Sequence, residues 1–203
     1  MISGQLALDL RPVELGSVVQ TSLEAVMPAA RAKSVTIHTS LSPSAGPILG
    51  DALRLQQVVW NLLSNALKFT DAGGGVEVRL ARQGVEVVLQ LRDSGRGIAP
   101  SFLPRLFDRF TQQDASSTRE AGGMGLGLSI VKHLAELHGG RVVAHSEGSG
   151  KGATFEVFFP VPAMLVPPEF AETSLNALHD QISQLVGVKI LVVDDEQDAR
   201  ESV

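Results

Sequence analysis

Asparagine and lysine side chains recur along one predicted helix at a spacing that suits metal and phosphate chemistry. Intervals of three or four residues separate Arg54, Gln57, Asn61, Asn65 and Lys68, so at about 100° per residue they share one side of a helix. An ordinary solvated face is the alternative, but such faces usually carry Glu and Lys, and asparagine is a mediocre helix former. Amide oxygens can ligate Mg²⁺, and an ammonium group can meet phosphate oxygens. The stripe therefore predicts a metal-and-phosphate surface.

A second candidate is the segment Asp93-Ser94-Gly95-Arg96-Gly97, which follows a predicted strand. A carboxylate at a strand end can accept a hydrogen bond from an exocyclic amine. The glycines let the backbone approach a flat ring closely. Taken alone, the segment would be interpreted as a simple turn.

A third candidate is the glycine series Gly123, Gly125 and Gly127, which leads into a predicted helix. Such a loop presents backbone N–H groups to phosphate. A dinucleotide-binding loop would need a preceding strand and the spacing G-x-G-x-x-G, and a Walker A loop would need Gly-Lys-Ser or Gly-Lys-Thr. Neither pattern occurs here, so a phosphate-contacting loop of another kind is predicted.

Hydrophobic periodicity predicts the elements that must position these residues. The expected order is a strand at 6–10, a helix opened by Pro12, a strand at 35–39, and a turn marked by Pro43, Gly46 and Pro47. Asp51 then caps a helix that runs to about Thr70. A hairpin at 76–80 and 85–91, a helix at 130–137 and strands at 141–146 and 154–159 follow. After Pro160, proline residues indicate a linker with a short amphipathic helix.

Composition bounds the class of protein. The 203 residues are 44% hydrophobic and 19% charged, with a net charge of −5. Disorder is disfavoured by the apolar content, and non-specific nucleic-acid binding by the acidic balance. The absence of cysteine excludes disulfides and cysteine-ligated metal sites. No apolar stretch is long enough to span a bilayer and no signal peptide is predicted, so a soluble domain without direct membrane contact is expected, which can still belong to a membrane-anchored protein. The lack of cysteine suits a reducing cytoplasm, which is the expected location.

Five segments, in order, resemble the motifs of the histidine kinase family. They are Asn61-Leu62-Leu63-Ser64-Asn65-Ala66-Leu67-Lys68-Phe69-Thr70 (N box), Asp93-Ser94-Gly95-Arg96-Gly97-Ile98 (G1 box), Leu106-Phe107-Asp108-Arg109-Phe110 (F box), Gly123-Met124-Gly125-Leu126-Gly127-Leu128 (G2 box) and Gly150-Lys151-Gly152-Ala153-Thr154-Phe155. One such match is often fortuitous, whereas five in the family's order are not. The first 160 residues or so are thus similar to the ATP-binding catalytic domain of bacterial sensor histidine kinases.

The resemblance implies an α+β Bergerat fold, a two-layer sandwich in which helices cover one face of a mixed, mostly antiparallel sheet. It implies ATP and Mg²⁺ as ligands. Asn65 would ligate Mg²⁺ with Asn61 beside it, and Lys68 would contact phosphate; Asn61 and Lys68 are the residues expected to be catalytic. The full expected nucleotide-binding set is Asn61, Asn65, Lys68, Asp93, Gly95, Gly97, Ile98, Gly123, Gly125, Leu126, Gly127, Leu128 and Thr154.

The resemblance also implies roles for the loops. Asp93 would bind the adenine amino group, helped by Thr154 through water, and Gly95 and Gly97 would line the adenine pocket. The glycines of the G2 box would lie in a mobile lid over the phosphates. Two phenylalanines, Phe107 and Phe110, would anchor that lid, with plain core packing as the alternative.

The chain departs from the family in its lid. Met124 stands where many members have Thr or Ser, so a hydroxyl near the phosphates is lost. Gln112 stands where some members have a phosphate-contacting Arg, a role for which Arg119 is a substitute. Because of these two changes, the sequence does not predict which residues of the lid contact the phosphates, whereas the rest of the site is retained.

The expected domains are a catalytic domain at 1–162, a linker at 163–187 and the start of a receiver domain at 188–203. The last assignment rests on the apolar run 190–193 followed by Asp194 and Asp195, which resembles the first strand and Mg²⁺-binding acidic pair of receivers and suggests a hybrid kinase. The family's phosphorylated histidine motif is missing. The chain is therefore expected to be a monomer that binds ATP without autophosphorylating, and its partners would be a dimerisation domain carrying the histidine and a receiver domain.

Two rival functions stay open. An ATPase of the same fold would place a glutamate one turn before the Mg²⁺-binding asparagine to activate water. This chain has Asn61 there, and an amide does not take up a proton at neutral pH. The other rival is a degenerate module that only docks a partner, which the retained Asn65, Lys68 and Asp93 disfavour.

Overall fold

The structure is a computed structural model, and it describes residues 7–111 and 125–162. These ranges contain, in chain order, β1 (Arg11–Glu14), α1 (Leu15–Ala32), β2 (Thr36–Leu41), β3 (Pro47–Gly50), α2 (Ala52–Phe69), β4 (Gly75–Gln83), β5 (Glu86–Asp93), α3 (Gly127–Leu137), β6 (Arg141–His145) and β7 (Ala153–Pro160). Short 3₁₀ turns lie at Pro43–Ala45 and Leu103–Arg105.

A five-stranded sheet in the order β2-β4-β5-β7-β6 forms one layer. The pair β2–β4 is parallel, and the pairs β4–β5, β5–β7 and β6–β7 are antiparallel. Alternate residues of β4, namely Val76, Val78 and Leu80, are buried, as expected when one face of a sheet is covered. Within the described residues, the predicted mixed, mostly antiparallel sheet is confirmed.

The three helices supply the other side of a single hydrophobic core. α1 buries residues at helical spacing, including Leu15, Val19 and Leu23, and α2 packs against both α1 and α3. Each fully buried Leu or Val contributes about 1.5–3 kcal/mol relative to an exposed one. Because α2 is held on both flanks and against the sheet, its polar stripe has a fixed position.

The N-terminal prediction is wrong. Residues 7–10 lie outside any strand, the strand is instead Arg11–Glu14, and the first helix begins at Leu15 rather than at Pro12. β1 pairs antiparallel with β3, a strand that the sequence analysis did not predict and that begins at the end of the expected turn. Proline lacks an N–H group and is tolerated in edge strands, and this two-stranded sheet consists of edge strands alone. Pairing with a distant segment thus overrides the local signal for a helix start.

The other predicted elements are confirmed within one or two residues at most ends. The carboxylate of Asp51 caps α2 by accepting hydrogen bonds from the N–H groups of Leu53 and Arg54, at 3.0 and 3.2 Å. The predicted linker, short helix and receiver strand lie outside the described residues. Among residues 7–111 and 125–162, no helix is long and apolar enough to cross a membrane.

Candidate functional site

The middle of α2 meets the beginning of α3. A β-carbon added at Gly127 would lie 3.3 Å from Oδ1 of Asn61 and 3.6 Å from Nδ2 of Asn65. The fold therefore brings together two amides of the predicted stripe and a glycine of the predicted phosphate loop. Both asparagines are half-buried, while Leu62, Leu63 and Ala66 between them are buried in the core. The amphipathic pattern of α2 thus presents the amides at this junction.

The N-terminus of α3 suits an anion. Leu126 occupies the N-cap position, and its apolar side chain accepts no hydrogen bond from the first turn. The first N–H groups of a helix have no partner within the helix, and the helix dipole favours negative charge at this end. With Asn61 and Asn65 beside it, this end can hold phosphate oxygens together with a cation bound to the amide oxygens. The side chain of Leu128 packs against the core.

Lys68 lies farther along the stripe, in the last turn of α2. Its side chain is half-buried and its Nζ lies 5.1 Å from the centre of the Phe69 ring. No carboxylate in the described parts of the chain forms an ion pair with it. An ammonium group without an acidic partner is suited to an anionic ligand.

Asp93 is the last residue of β5 and is 7% exposed. Burial raises the pKa of Asp93 above its ordinary value of 3.8, against hydrogen bonds from the backbone N–H groups of Gly95 and Ala153 that lower it. The bond from Gly95 is 2.9 Å long and reaches Oδ1. A carboxylate has more acceptor positions than these two bonds use, so Asp93 can also accept from an amine of a ligand.

The loop after Asp93 is pressed against the end of α2. A β-carbon at Gly95 would lie 2.2 Å from the carbonyl oxygen of Phe69. This distance is a steric clash, so any residue other than glycine would force the loop to move. The N–H group of Arg96 donates to the same carbonyl over 3.1 Å. Glycine at position 95 therefore allows the loop after Asp93 to pack directly on the last turn of α2.

The other side of this loop is held by the turn between β6 and β7. Gly97 has a φ of +70°, and a β-carbon there would lie 2.0 Å from the carbonyl oxygen of Gly148. The Ser146 hydroxyl accepts from the N–H group of Ile98 at 2.9 Å and donates to the Gly152 carbonyl at 2.7 Å. Ile98 itself is buried in the core. The loop is thus fixed at both ends.

The register of β5 and β7 bears on Thr154, which the resemblance implied would help Asp93 to bind the adenine amino group through water. In the antiparallel pair β5–β7, Asp93 faces Ala153, and Thr154 faces Arg92. Side chains alternate between the two faces of a sheet, so Thr154 lies on the face opposite to Asp93. The group that reaches the Asp93 carboxylate from this strand is the backbone N–H of Ala153.

The two ends of the predicted lid lie side by side. The N–H group of Phe110 donates to the carbonyl of Gly125 at 3.2 Å, and Gly125 has a φ of +68°. Phe107 is partly buried and packs against the core, whereas Phe110 is 72% exposed. At Phe110 the backbone, rather than the ring, joins the two ends. Gly123, Met124, Gln112 and Arg119 lie outside the described residues.

Three residues that position the site were missed by the sequence analysis. Ala153 contributes through its backbone, and only the register of β7 against β5 identifies it. Ser146 contacts a loop 48 residues away, and Lys33 contacts the end of α2 across 34 residues. No local motif marks the last two, because their contacts are made only in the folded chain.

Comparisons with known proteins agree with this geometry. Residues 50–163 match the family described as histidine kinase-, DNA gyrase B-, and HSP90-like ATPase. The hybrid signal transduction histidine kinase D of Dictyostelium discoideum is 35% identical over 79% of this chain and 12% of that protein. The circadian input-output histidine kinase CikA of Synechococcus elongatus is 35% identical over 97% of this chain and 25% of that protein.

A solved structure shows the same fold. Full-length ShkA in complex with AMPPNP superposes with a TM-score of 0.66 and 36% identity, covering 76% of this chain and 32% of that one. The chain spans about an eighth to a quarter of the length of the two curated relatives. The match with ShkA confirms the predicted two-layer α/β fold.

Proposed function

The chain belongs to the histidine kinase-, DNA gyrase B- and HSP90-like ATPase family, and we propose that it is the ATP-binding catalytic domain of a two-component histidine kinase. The observation that carries the proposal is the junction of Asn61, Asn65 and Gly127, together with the buried Asp93 carboxylate beyond the other end of α2. Homology to histidine kinases, and the AMPPNP bound by ShkA, support the same assignment.

The residues of the site divide the work of binding one nucleotide. Asp93 accepts a hydrogen bond from the adenine amino group, and Gly95 and Gly97 let the backbone approach the ring. Lys68 and the first N–H groups of α3 neutralise phosphate charge. Asn65 and Asn61 would hold Mg²⁺ through their amide oxygens, and the bound ion would neutralise further phosphate charge.

Catalysis in the intact kinase would then depend on positioning and charge neutralisation. The γ-phosphoryl group passes in line to a nitrogen of a histidine in a separate dimerisation domain. A neutral imidazole is already a competent nucleophile, so the described residues need to supply no strong base. The amide of Asn61, in place of the glutamate expected in a hydrolytic relative, favours transfer to histidine over transfer to water.

We also propose the context in which the domain works. The sequence of 188–203 resembles the start of a receiver domain, and one relative is named a hybrid kinase; the parent of this chain is then a hybrid kinase with a receiver after the catalytic domain. The domain works in the cytoplasm, where ATP is available. Its partners are the dimerisation domain and the receiver of the same parent.

Calorimetric titration with AMPPNP and Mg²⁺ tests the proposal. Variants Asn65→Ala and Asp93→Ala remove the two ends of the site, and Gln20→Ala removes an exposed amide on α1 as a control. We expect saturable binding by the wild type and by Gln20→Ala, and loss of binding by both site variants. Affinity that does not depend on Mg²⁺ would contradict the role of Asn65, and no binding by the wild type would favour the docking module.

A second assay separates phosphotransfer from hydrolysis. The chain is mixed with γ-labelled ATP and a dimerisation domain that carries a phosphoacceptor histidine. Label on that domain, abolished when its histidine is replaced by alanine, supports the proposed reaction. Release of labelled phosphate at the same rate with and without the dimerisation domain would instead favour an ATPase.

A further inference from the structure

Lys33 lies just after α1, outside every motif identified in the sequence. Its ammonium group donates hydrogen bonds to the carbonyl oxygens of Leu67 and Lys68, at 2.7 and 2.9 Å. The side chain is half-buried. The last carbonyl groups of a helix have no partner within it and carry the negative end of the helix dipole. Lys33 therefore caps the final turn of α2 from a neighbouring element.

That final turn carries contacts to both parts of the candidate site. Lys68 belongs to it, and the carbonyl of Phe69 accepts the hydrogen bond from the Arg96 N–H group. The Phe69 ring lies 5.1 Å from Lys68 Nζ and 4.2 Å from the guanidinium carbon of Arg96. A shift of this turn would thus move the phosphate-side lysine and the adenine-side loop together.

We propose that Lys33 is a positioning residue for the nucleotide site, which sets the last turn of α2 so that Lys68 and the Gly95 loop reach one ligand. The inference rests on the proposed nucleotide-binding function. A positioning role and a purely stabilising helix cap have different effects on nucleotide affinity. A residue that only stabilises the domain lowers the free energy of unfolding without changing the affinity of the molecules that remain folded.

Lys33→Met tests this, because methionine keeps an unbranched side chain of similar length but has no charge and no N–H donor. We expect the affinity for AMPPNP with Mg²⁺ to fall on the order of tenfold, because binding must then reorder the turn that the two lost hydrogen bonds had fixed. Amide hydrogen exchange at Arg96 should accelerate in the free protein, since its acceptor carbonyl lies in the released turn. Lys33→Arg, which keeps the charge and donors, should restore most of the affinity.

Two control variants separate positioning from stability. Val26→Ala creates a cavity in the buried face of α1, the helix that Lys33 follows, and lowers stability without touching α2's last carbonyls. Lys132→Met removes an exposed lysine from α3. Both should bind the nucleotide as the wild type does under conditions where they are folded. If Lys33→Met does not fold, Lys33→Gln keeps an uncharged N–H donor group on a shorter side chain, and an intermediate affinity is expected.

The outcomes distinguish the inference from the function on which it rests. No binding by the wild type refutes the nucleotide site itself. Binding by the wild type that is unchanged in Lys33→Met, or in Lys33→Gln if the first variant is unfolded, refutes the role of Lys33 alone. Weakening in Val26→Ala as large as in Lys33→Met, at matched stability, would also refute it, because positioning would then be indistinguishable from general destabilisation.

Discussion

Gly95→Ala tests the contact between the loop after Asp93 and the end of α2. The added β-carbon would lie 2.2 Å from the carbonyl oxygen of Phe69, 2.7 Å from its carbonyl carbon and 2.9 Å from Oδ1 of Asp93. Ordinary contact distances exceed 3 Å, so the loop has to withdraw by about 1 Å. The φ of Gly95 is not in the left-handed region, and the cost is therefore one of space rather than of backbone conformation.

The magnitude follows from two effects. Overpacking of a closely packed site costs about 1–3 kcal/mol. A withdrawal of about 1 Å also stretches the 3.1 Å hydrogen bond from Arg96 to Phe69 beyond bonding distance, which costs about 0.5–1.5 kcal/mol. Together they lower the free energy of unfolding by roughly 2–4 kcal/mol. A domain with about 5–15 kcal/mol of stability remains mostly folded after this loss, so nucleotide binding can still be measured.

Urea unfolding and calorimetric titration with AMPPNP and Mg²⁺ are the assays. Because the Asp93 carboxylate is displaced with the loop, affinity should fall by at least about tenfold. Gly16→Ala is the matched control, since a β-carbon there would lie 3.7 Å from the nearest atom. Within helix α1, this change should stabilise by roughly 0.5–1 kcal/mol. If Gly95→Ala equals the wild type in stability and affinity, the close packing of the loop on α2 is refuted.

Three further predictions concern single side chains of the site. Burial raises the Asp93 pKa, so the contribution of the protonated carboxyl to folding stability is fully present below pH 3.8 and is lost as pH rises through the raised pKa. An amine donor of a ligand favours the ionised form, so nucleotide affinity should increase as pH rises from 3.8 through the raised pKa. Calorimetric titration of Asp93→Asn over the same pH range should show no such increase. Thr154→Val should bind AMPPNP as the wild type does, because Thr154 lies on the sheet face opposite to Asp93. A tenfold loss of affinity in calorimetry would instead support the role through water that the resemblance implies for Thr154. Lys68→Met should weaken ATP more than adenosine in competition titrations, and equal weakening of both would place the ammonium away from the phosphates.

The elements with strong local signals were predictable from the sequence. The capped, amphipathic α2 and the hairpin around Gly84 each depend on residues close in the chain, and the structure contains both. The strand at Arg11–Glu14 was not predictable in this way, because its partner, β3, lies about 35 residues farther along the chain. Pro12 indicates a helix start only while that pairing is unknown.

Within the site, too, local spacing was predictable from the sequence, whereas contacts between distant segments were not. Spacing alone placed Asn61 and Asn65 on one helix face, and the structure puts both beside Gly127. The choice between Ala153 and Thr154 depends on strand register, and a shift of one residue moves a side chain to the other face of the sheet. Motif matching identifies the segment but not the register, so the backbone N–H group of Ala153 could not be recognised as a partner of Asp93.

Helix α2 sets the distance between the two halves of the site. Eight residues separate Asn61 from Phe69, which at about 1.5 Å per residue is about 12 Å along the axis. The carbonyl of Phe69 holds the Asp93 loop at one end, and Asn61 faces the start of α3 near the middle of the helix. A ligand that contacts both places must be elongated, and in the function proposed above it carries an amine-bearing ring at one end and metal-bound anionic oxygens at the other. A nucleoside triphosphate meets both requirements, whereas adenosine would contact the Asp93 end alone, and the spacing along α2 therefore favours the triphosphate as the ligand.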